Sequence, residues 1–341
     1  MRILIIDPQF DDEPDVERSV TGPDADIVVW RAEKLSDVPE SEFKACDALM
    51  VCRSRHVVTE DIVAMMQRCR IVSQAGVGFN HIDLEACARR NIPVCNAPDY
   101  GTTEVADHAI AMILALARGI LAYDTKLRSR QIAWNARGQQ TVRRLKDSRF
   151  GIVGLGRIGT AAALRARSFQ TRIVFFDPYL PAGTEKAFGF DRANSLDELL
   201  AECDIVSLHV PLTPETEAMI NAEALASAKQ GLILANTSRG KVVDLDAVFD
   251  GLRSGRLGGA ALDVLPDEPI DYQHPLLKAF EASEEWLDGR LTITPHAAFY
   301  SPHSLVDMRR IATRNVVDYL RRGVLRSCVN GHLLDPPVHA P

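Results

Sequence analysis

Phe150-Gly151-Ile152-Val153-Gly154-Leu155-Gly156-Arg157-Ile158-Gly159 decides the architecture. A short apolar run ends in glycines spaced G-x-G-x-x-G, and a stretch rich in Ala, Leu and Arg follows. That order reads as strand, tight turn and helix. The first glycine permits the turn, the second clears space for a pyrophosphate, and the third lets helix and strand pack closely. The helix N-terminus then faces the phosphates. Asp177 closes the next apolar run, 18 residues past Gly159. A carboxylate there accepts hydrogen bonds from the adenosine ribose diol and repels a 2′-phosphate, so the spacing predicts NAD rather than NADP.

The pattern extends in both directions. Downstream, Arg172 to Phe176, Ile205 to Leu208, Leu232 to Ala235, Gly259 to Leu262 and Leu291 to Ile293 join Phe150 to Val153 as six strands. Helical segments such as Leu196 to Ala201 and Asp246 to Ser254 separate them, as in a doubly wound nucleotide-binding domain. Upstream, Ile3 to Ile6, Ile27 to Trp30, Ala48 to Cys52, Ile71 to Ala75 and Pro93 to Asn96 are continuous apolar runs. Such runs suit parallel strands covered on both faces. Thr59 to Met66 and Ile82 to Ala88 read as helices with acidic first turns. Thr102-Thr103-Glu104 opens a helix reaching almost to Arg118, apolar enough to be buried on more than one side. Ser301-Pro302 starts a last helix that Gly323 stops, and this helix is expected to return to the first domain.

The chain has 341 residues, more than a single core usually serves, so two domains are expected. Net charge is -7 with both signs interspersed, which disfavours direct nucleic-acid binding. Ala109 to Ala117 is far too short to span a membrane, and Met1 to Asp7 does not read as a signal peptide. The cysteines 46, 52, 69, 87, 95, 203 and 328 show no CxxC spacing, which suggests a reducing compartment and a cytoplasmic protein.

Candidate chemistry sits where strands end. Arg239, in Asn236-Thr237-Ser238-Arg239-Gly240, can clamp a carboxylate or polarise a carbonyl; the bland alternative is a surface ion pair. His296, in Thr294-Pro295-His296, suits proton transfer near neutral pH, against a satisfied structural histidine. Glu268 can bond the other ring nitrogen and favour the imidazolium form. Asp263 faces either a nicotinamide carboxamide or an Asx turn. His209-Val210-Pro211 forms either an adenine-side wall or a plain strand terminator. No metal-ligand spacing is present.

Taken together, residues 45–325 resemble the D-isomer-specific 2-hydroxyacid dehydrogenase family. Ala75-Gly76-Val77-Gly78-Phe79-Asn80-His81-Ile82-Asp83, the glycine fingerprint, His209 to Thr213, Asn236 to Gly240, Ala260 to Val264 and Thr294 to His296 occur in the family's order. The resemblance implies an α/β chain of two Rossmann-like domains. These are a flavodoxin-like substrate-binding domain over 1–100 plus 301–330 and a doubly wound NAD-binding domain over 101–300, with 331–341 an irregular tail. It implies Arg239, Glu268 and His296 as catalytic residues and Arg53, Gly76, Val77 and Gly78 as substrate-binding residues. The expected NAD contacts are Thr103, Gly154, Gly156, Arg157, Ile158, Gly159, Asp177, His209, Val210, Pro211, Thr237, Ser238, Asp263 and His296. A homodimer built on residues 102–144 is also implied. The expected reaction is reversible hydride transfer between NADH and C2 of a 2-keto acid held between the domains. Ala297-Ala298-Phe299-Tyr300-Ser301 resembles the C-terminal-binding-protein branch, although that branch has tryptophan where this chain has Phe299. The alternative function is therefore an NADH-sensing corepressor or interaction protein with weak turnover. Arg55 and His56 beside Arg53 leave room for a phosphorylated substrate.

Overall fold

Continuous apolar runs become parallel strands in both halves of the chain. The computed structural model describes residues 1–8, 10, 13–32, 34–52, 56–134 and 142–337. They divide into two units, residues 1–101 with 300–341, and residues 102–299.

In the first unit β1 (Arg2–Ile6), β2 (Asp26–Trp30), β3 (Ala48–Val51), β4 (Val72–Gln74) and β5 (Val94–Cys95) form a sheet ordered β2-β1-β3-β4-β5. Every pairing is parallel, and the order is that of flavodoxin-like folds. Alternation along each strand splits the apolar side chains between two layers. Ile3, Ile5, Ala48 and Met50 meet Met308, Ala312 and Val316 of the Pro302–Arg322 helix. Leu4, Ile6, Leu49, Val51 and Val72 meet Phe43, Val63, Met66 and Cys87 on the other face. The long helix begins as its sequence predicts, with the Ser301 side chain accepting from the Ser304 N–H, and ends at Gly323 with φ 68°.

The expectation of an irregular tail over 331–341 needs correction. Gly331–Leu333 forms a 3-10 turn and Leu334 is buried. The cause lies one residue earlier: Asn330 Oδ1 accepts from the Val94 N–H at 2.8 Å and Asn330 Nδ2 donates to the Ile92 carbonyl at 3.1 Å. A side chain thus satisfies the open edge of β5 and draws the following residues onto it. Residues 338–341 fall outside the described residues.

In the second unit β6 (Arg149–Val153), β7 (Arg172–Phe176), β8 (Asp191–Arg192), β9 (Ile205–Leu208), β10 (Leu232–Asn236), β11 (Leu257–Leu262) and β12 (Leu291–Ile293) form a parallel sheet. Its order, β12-β11-β10-β9-β6-β7-β8, contains the 3-2-1-4-5-6 arrangement of dinucleotide-binding domains. The strand that sequence patterning missed is β8. It is two polar residues at the sheet edge, paired Val174 to Asp191 and Phe175 to Arg192, and carries no apolar run to detect. The Thr102–Ala117 helix is buried on two sides. Ala106, Ile110, Ile113 and Leu116 pack with Ala162, Ala163 and Ala166 of the Arg157–Ser168 helix and with Ile233 and Ala261 of the sheet. Among the described residues no single helix is long and apolar enough to cross a membrane.

A buried ion cluster locks the last helix to the Asp15–Thr21 helix in the first unit. Arg309 Nε and Nη2 donate to the two Glu17 carboxylate oxygens at 2.9 and 2.6 Å, and Nη2 also reaches Asp15 Oδ1 at 2.7 Å. Burial works against the Arg309 charge, but the Glu17 and Asp15 carboxylates outweigh it and hold its pKa above the ordinary arginine value. Glu17 is 1% exposed, so loss of its partner strands a buried charge. Arg309→Met is expected to lower unfolding free energy by about 3 kcal/mol, measured by urea denaturation, and the double change with Glu17→Gln to cost less than the single one.

Candidate active site

The carboxyl ends of the second unit's strands carry one continuous set of polar groups. After β6, residues 154–156 turn into the Arg157–Ser168 helix with Gly156 as N-cap, so Arg157, Ile158 and Gly159 form its first turn. A Cβ on Gly159 would fall 2.0 Å from the Gly154 carbonyl oxygen, so only glycine lets this helix pack here. A Cβ on Gly156 would meet nothing within 4 Å, and the helix N-terminus is open to an anion. Asp177 follows β7, its carboxylate accepting from the Leu155 and Tyr179 N–H groups, each at 3.0 Å. Asp177 is thereby tied to the glycine turn.

His209, Val210 and Pro211 follow β9 and border the same turn: a Cβ on Gly154 would lie 2.8 Å from the His209 carbonyl oxygen. His209 Nε2 lies 2.9 Å from Ser207 Oγ, and burial pushes the imidazole down to about 4, so it is neutral near pH 7. Thr237 follows β10, and its Oγ1 is buried without a hydrogen-bond partner among the described residues. Buried hydroxyls rarely stay unsatisfied unless a ligand completes them. An open helix N-terminus, an anchored carboxylate and an orphan hydroxyl along one sheet edge fit a dinucleotide. Thr103 is the exposed second residue of the Thr102–Ala117 helix.

Beyond Thr237, Asn236 shapes the turn that presents Arg239. Its Oδ1 accepts from the Ser238 N–H and hydroxyl at 3.0 and 2.8 Å, and its Nδ2 donates to the Arg239 carbonyl at 2.9 Å. Gly240 then comes so close to the next loop that a Cβ would sit 1.9 Å from the Leu265 carbonyl group. This contact places Arg239 beside the turn carrying Glu268. Glu268 Oε2 lies 2.7 Å from His296 Nδ1, and Glu268 Oε1 accepts from the Leu265 N–H at 3.2 Å. Burial opposes ionisation of Glu268, but the His296 hydrogen bond and charge, the Leu265 N–H and the nearby Arg239 charge outweigh it and hold the carboxyl below its usual range.

His296 has a left-handed backbone, φ 50°, and its ring meets Phe299 edge-on with centroids 6.1 Å apart. Asp263 supports it from beneath: Thr294 Oγ1 and the Ala297 N–H donate to Oδ1 at 2.6 and 2.8 Å, and the Ala298 N–H donates to Oδ2 at 3.1 Å. His108 Nε2 stands 3.0 Å from Thr294 Oγ1. Sequence reasoning left Asp263 between a ligand contact and an Asx turn, and overlooked Asn236, Gly240, Thr294 and His108 as site-building residues. Asn236, Gly240 and Thr294 lie in motifs the sequence displays and His108 lies in none, and a residue that supports another has no spacing of its own.

In the first unit, Gly76, Val77 and Gly78 follow β4 at its carboxyl end. The Ala97 N–H donates to the Gly76 carbonyl at 2.9 Å and Asn96 Nδ2 to the Val77 carbonyl at 2.8 Å. Arg53, with its neighbours Ser54 and Arg55, lies outside the described residues. Among the described residues no group of three His, Cys, Asp or Glu side chains is arranged to hold a metal ion.

Residues 110–298 match the family model described as D-isomer specific 2-hydroxyacid dehydrogenase, NAD binding domain. The chain belongs to this dehydrogenase family. As a member, it is an NAD-dependent oxidoreductase acting on CH–OH groups. A glyoxylate reductase of Korarchaeum cryptofilum is 37% identical over 84% of this chain and 83% of its own length. A D-3-phosphoglycerate dehydrogenase of Bacillus subtilis is 33% identical over 96% of the chain, which spans only 59% of that longer protein. The solved D-lactate dehydrogenase of Aquifex aeolicus, complexed with NAD and lactic acid, superposes with a TM-score of 0.80 at 31% identity, covering 94% of this chain and 95% of that one.

The contact of Gly240 with Leu265 makes a direct test of how this dehydrogenase site is built. The obstructing atoms are main chain and cannot swing aside, so Gly240→Ala must push the Arg239 and Glu268 turns apart. Its expected effect is a loss of about 2 to 3 kcal/mol in stability by thermal unfolding, the scale of core overpacking, with NADH affinity changing less than turnover.

Proposed function

We propose that this protein is a D-2-hydroxyacid dehydrogenase that reversibly reduces a small 2-keto acid, with His296 as the acid and base. The pairing of Glu268 with His296 Nδ1 at 2.7 Å, within the field of Arg239, carries this reading. Bound NADH supplies the hydride that goes to C2 of the keto acid, and NAD accepts it in reverse. With Nδ1 engaged by Glu268, Nε2 of His296 gives its proton to the oxygen as alkoxide charge develops. Glu268, held ionised, orients the ring through Nδ1. Arg239 offsets the developing negative charge.

The Gly76–Gly78 segment takes the substrate carboxylate. Its carbonyls at Gly76 and Val77 are engaged by Ala97 and Asn96, which fixes the backbone of the segment. Relatives named for glyoxylate and lactate support a compact 2-keto or 2-hydroxy acid. Asp177 selects NAD over NADP. A homodimer fits the apolar side chains left uncovered after the Thr102–Ala117 helix, Ile120 at 54%, Leu121 at 43% and Trp134 at 92% exposed. The corepressor reading rests on the Ala297 to Ser301 resemblance alone, and a complete Arg239, Glu268 and His296 set favours turnover.

Purified protein is expected to oxidise NADH with selected members of a panel of 2-keto acids, and His296→Ala to bind NADH normally while losing at least about a hundredfold in kcat. A variant as fast as its parent at every pH would end the His296 assignment. Tight NADH binding without turnover on any acid would shift the function to sensing. Asp177→Asn, which keeps an acceptor for the Leu155 N–H but drops the charge, is expected to move the NADH to NADPH ratio of kcat/KM toward NADPH by about tenfold.

A further inference from the structure

Cys46, Cys69, Cys95 and Cys328 are reduced, and they make two thiol pairs in the first unit. Cys46 and Cys69 are both buried, with their sulfurs bonded to the Phe43 and Ile71 carbonyls at 3.3 and 3.2 Å. They read as packing. Cys95 and Cys328 differ in accessibility and in backbone geometry.

Cys95 ends β5 and is fully buried, whereas Cys328 is partly exposed. The two residues face each other in an isolated antiparallel bridge. One residue to either side, the Asn96 N–H donates to the Ser327 carbonyl at 3.2 Å and the Val329 N–H donates to the Val94 carbonyl at 2.8 Å. This pattern makes 95 and 328 a non-hydrogen-bonded antiparallel pair. In such pairs the Cα atoms lie about 4.5 Å apart and both side chains leave the same face. That spacing falls inside the range a disulfide spans.

We propose that Cys95 and Cys328 form a reversible intramolecular disulfide, with a peroxide as oxidant. The hydrogen bond from Cys95 holds the Cys328 thiol down to about 7 and moves the Cys95 thiol well up, so Cys328 is the attacking sulfur. The Cys328 thiolate attacks one peroxide oxygen. A sulfur–oxygen bond forms, the oxygen–oxygen bond breaks, and hydroxide leaves to become water on taking a proton. The Cys95 sulfur, losing its proton, then attacks the resulting sulfenic acid; the disulfide forms, the sulfur–oxygen bond breaks and a second water departs. Two thiols lose two protons and two electrons, and the peroxide gains them.

Two consequences follow from position. The cross-link joins the chain ahead of residue 102 to the chain beyond residue 299, closing a loop around the whole second unit. It also fixes the neighbour of Asn96, whose side chain holds Val77 and whose carbonyl accepts from Asn315 Nδ2 at 2.9 Å. If the proposed role of the 76–78 segment in binding the substrate carboxylate holds, the oxidation state of this pair reaches that loop through Asn96.

The test treats the full-length protein with a small excess of hydrogen peroxide, blocks free thiols, digests with trypsin and reads linked peptides by mass spectrometry. The peptides beginning at Asn91 and Ser327 are expected to appear joined and two hydrogens lighter than their sum, and to separate with dithiothreitol. Cys328→Ser is expected to abolish the link. A second reading is thermal: the oxidised protein should melt roughly 5 °C higher or more, because a cross-link across so long a loop restricts the unfolded chain. Blocked, unlinked thiols at both positions, linkage to another cysteine or between two chains, oxygen adducts on Cys328 without linkage, or a linked protein that melts lower would each overturn the proposal. Neither measurement needs turnover, so the disulfide stands or falls independently of the dehydrogenase reading.

Discussion

Asp263 is 2% exposed, and a carboxylate so deep in the protein is tolerable only when its lone pairs are occupied. The Thr294 hydroxyl and the Ala297 and Ala298 N–H groups occupy them. The main chain of the same residue joins in, since the Asp263 carbonyl accepts from the His296 N–H at 2.8 Å. Both ends of Asp263 therefore grip the loop that leaves β12. A left-handed conformation costs a residue with a side chain about 1 to 2 kcal/mol, and these bonds compensate for His296 adopting it. The imidazole owes its position to a buried acid that need not itself meet the substrate.

The carboxylate partner of His296 depends on a different constraint. Glu268 reaches the ring only because the Leu265 loop passes directly over Gly240, where any side chain would collide with main chain. That approach also brings the Arg239 charge close enough to help hold Glu268 ionised against its partial burial. Excluded volume at one glycine thus sets the electrostatics of three residues from three different loops. Within the second unit, the pairing of Glu268 with His296 and the approach of Arg239 to Glu268 cannot be altered separately.

The parallel architecture was readable because burial on both faces writes continuous apolar runs, and nearly every strand announced itself that way. Asp191 and Arg192 did not, because an edge strand two residues long needs only backbone pairing to β7. The tail failed for a related reason. What holds residues 331–334 is the Asn330 side chain bonding to the edge of β5, a contact separated by more than two hundred residues and without periodicity. The site divides in the same way. Arg239, Glu268 and His296 stood out because their chemistry is written in the side chain. The residues that aim them, Asn236, Gly240 and Thr294, act through backbone geometry that only folding reveals.

The two histidines at strand ends show how local surroundings decide what one residue type does. His209 has a hydroxyl, Ser207, as its partner, and burial drives it to the neutral state. A neutral ring adds no charge beside the glycine turn. His296 has a carboxylate at 2.7 Å, and the strength of that pairing is read on its partner, since Glu268 is held low despite the burial that opposes it. The same sheet therefore carries one imidazole that burial keeps neutral and another paired with a carboxylate, and the difference is whether a neighbouring loop brings an acid within reach.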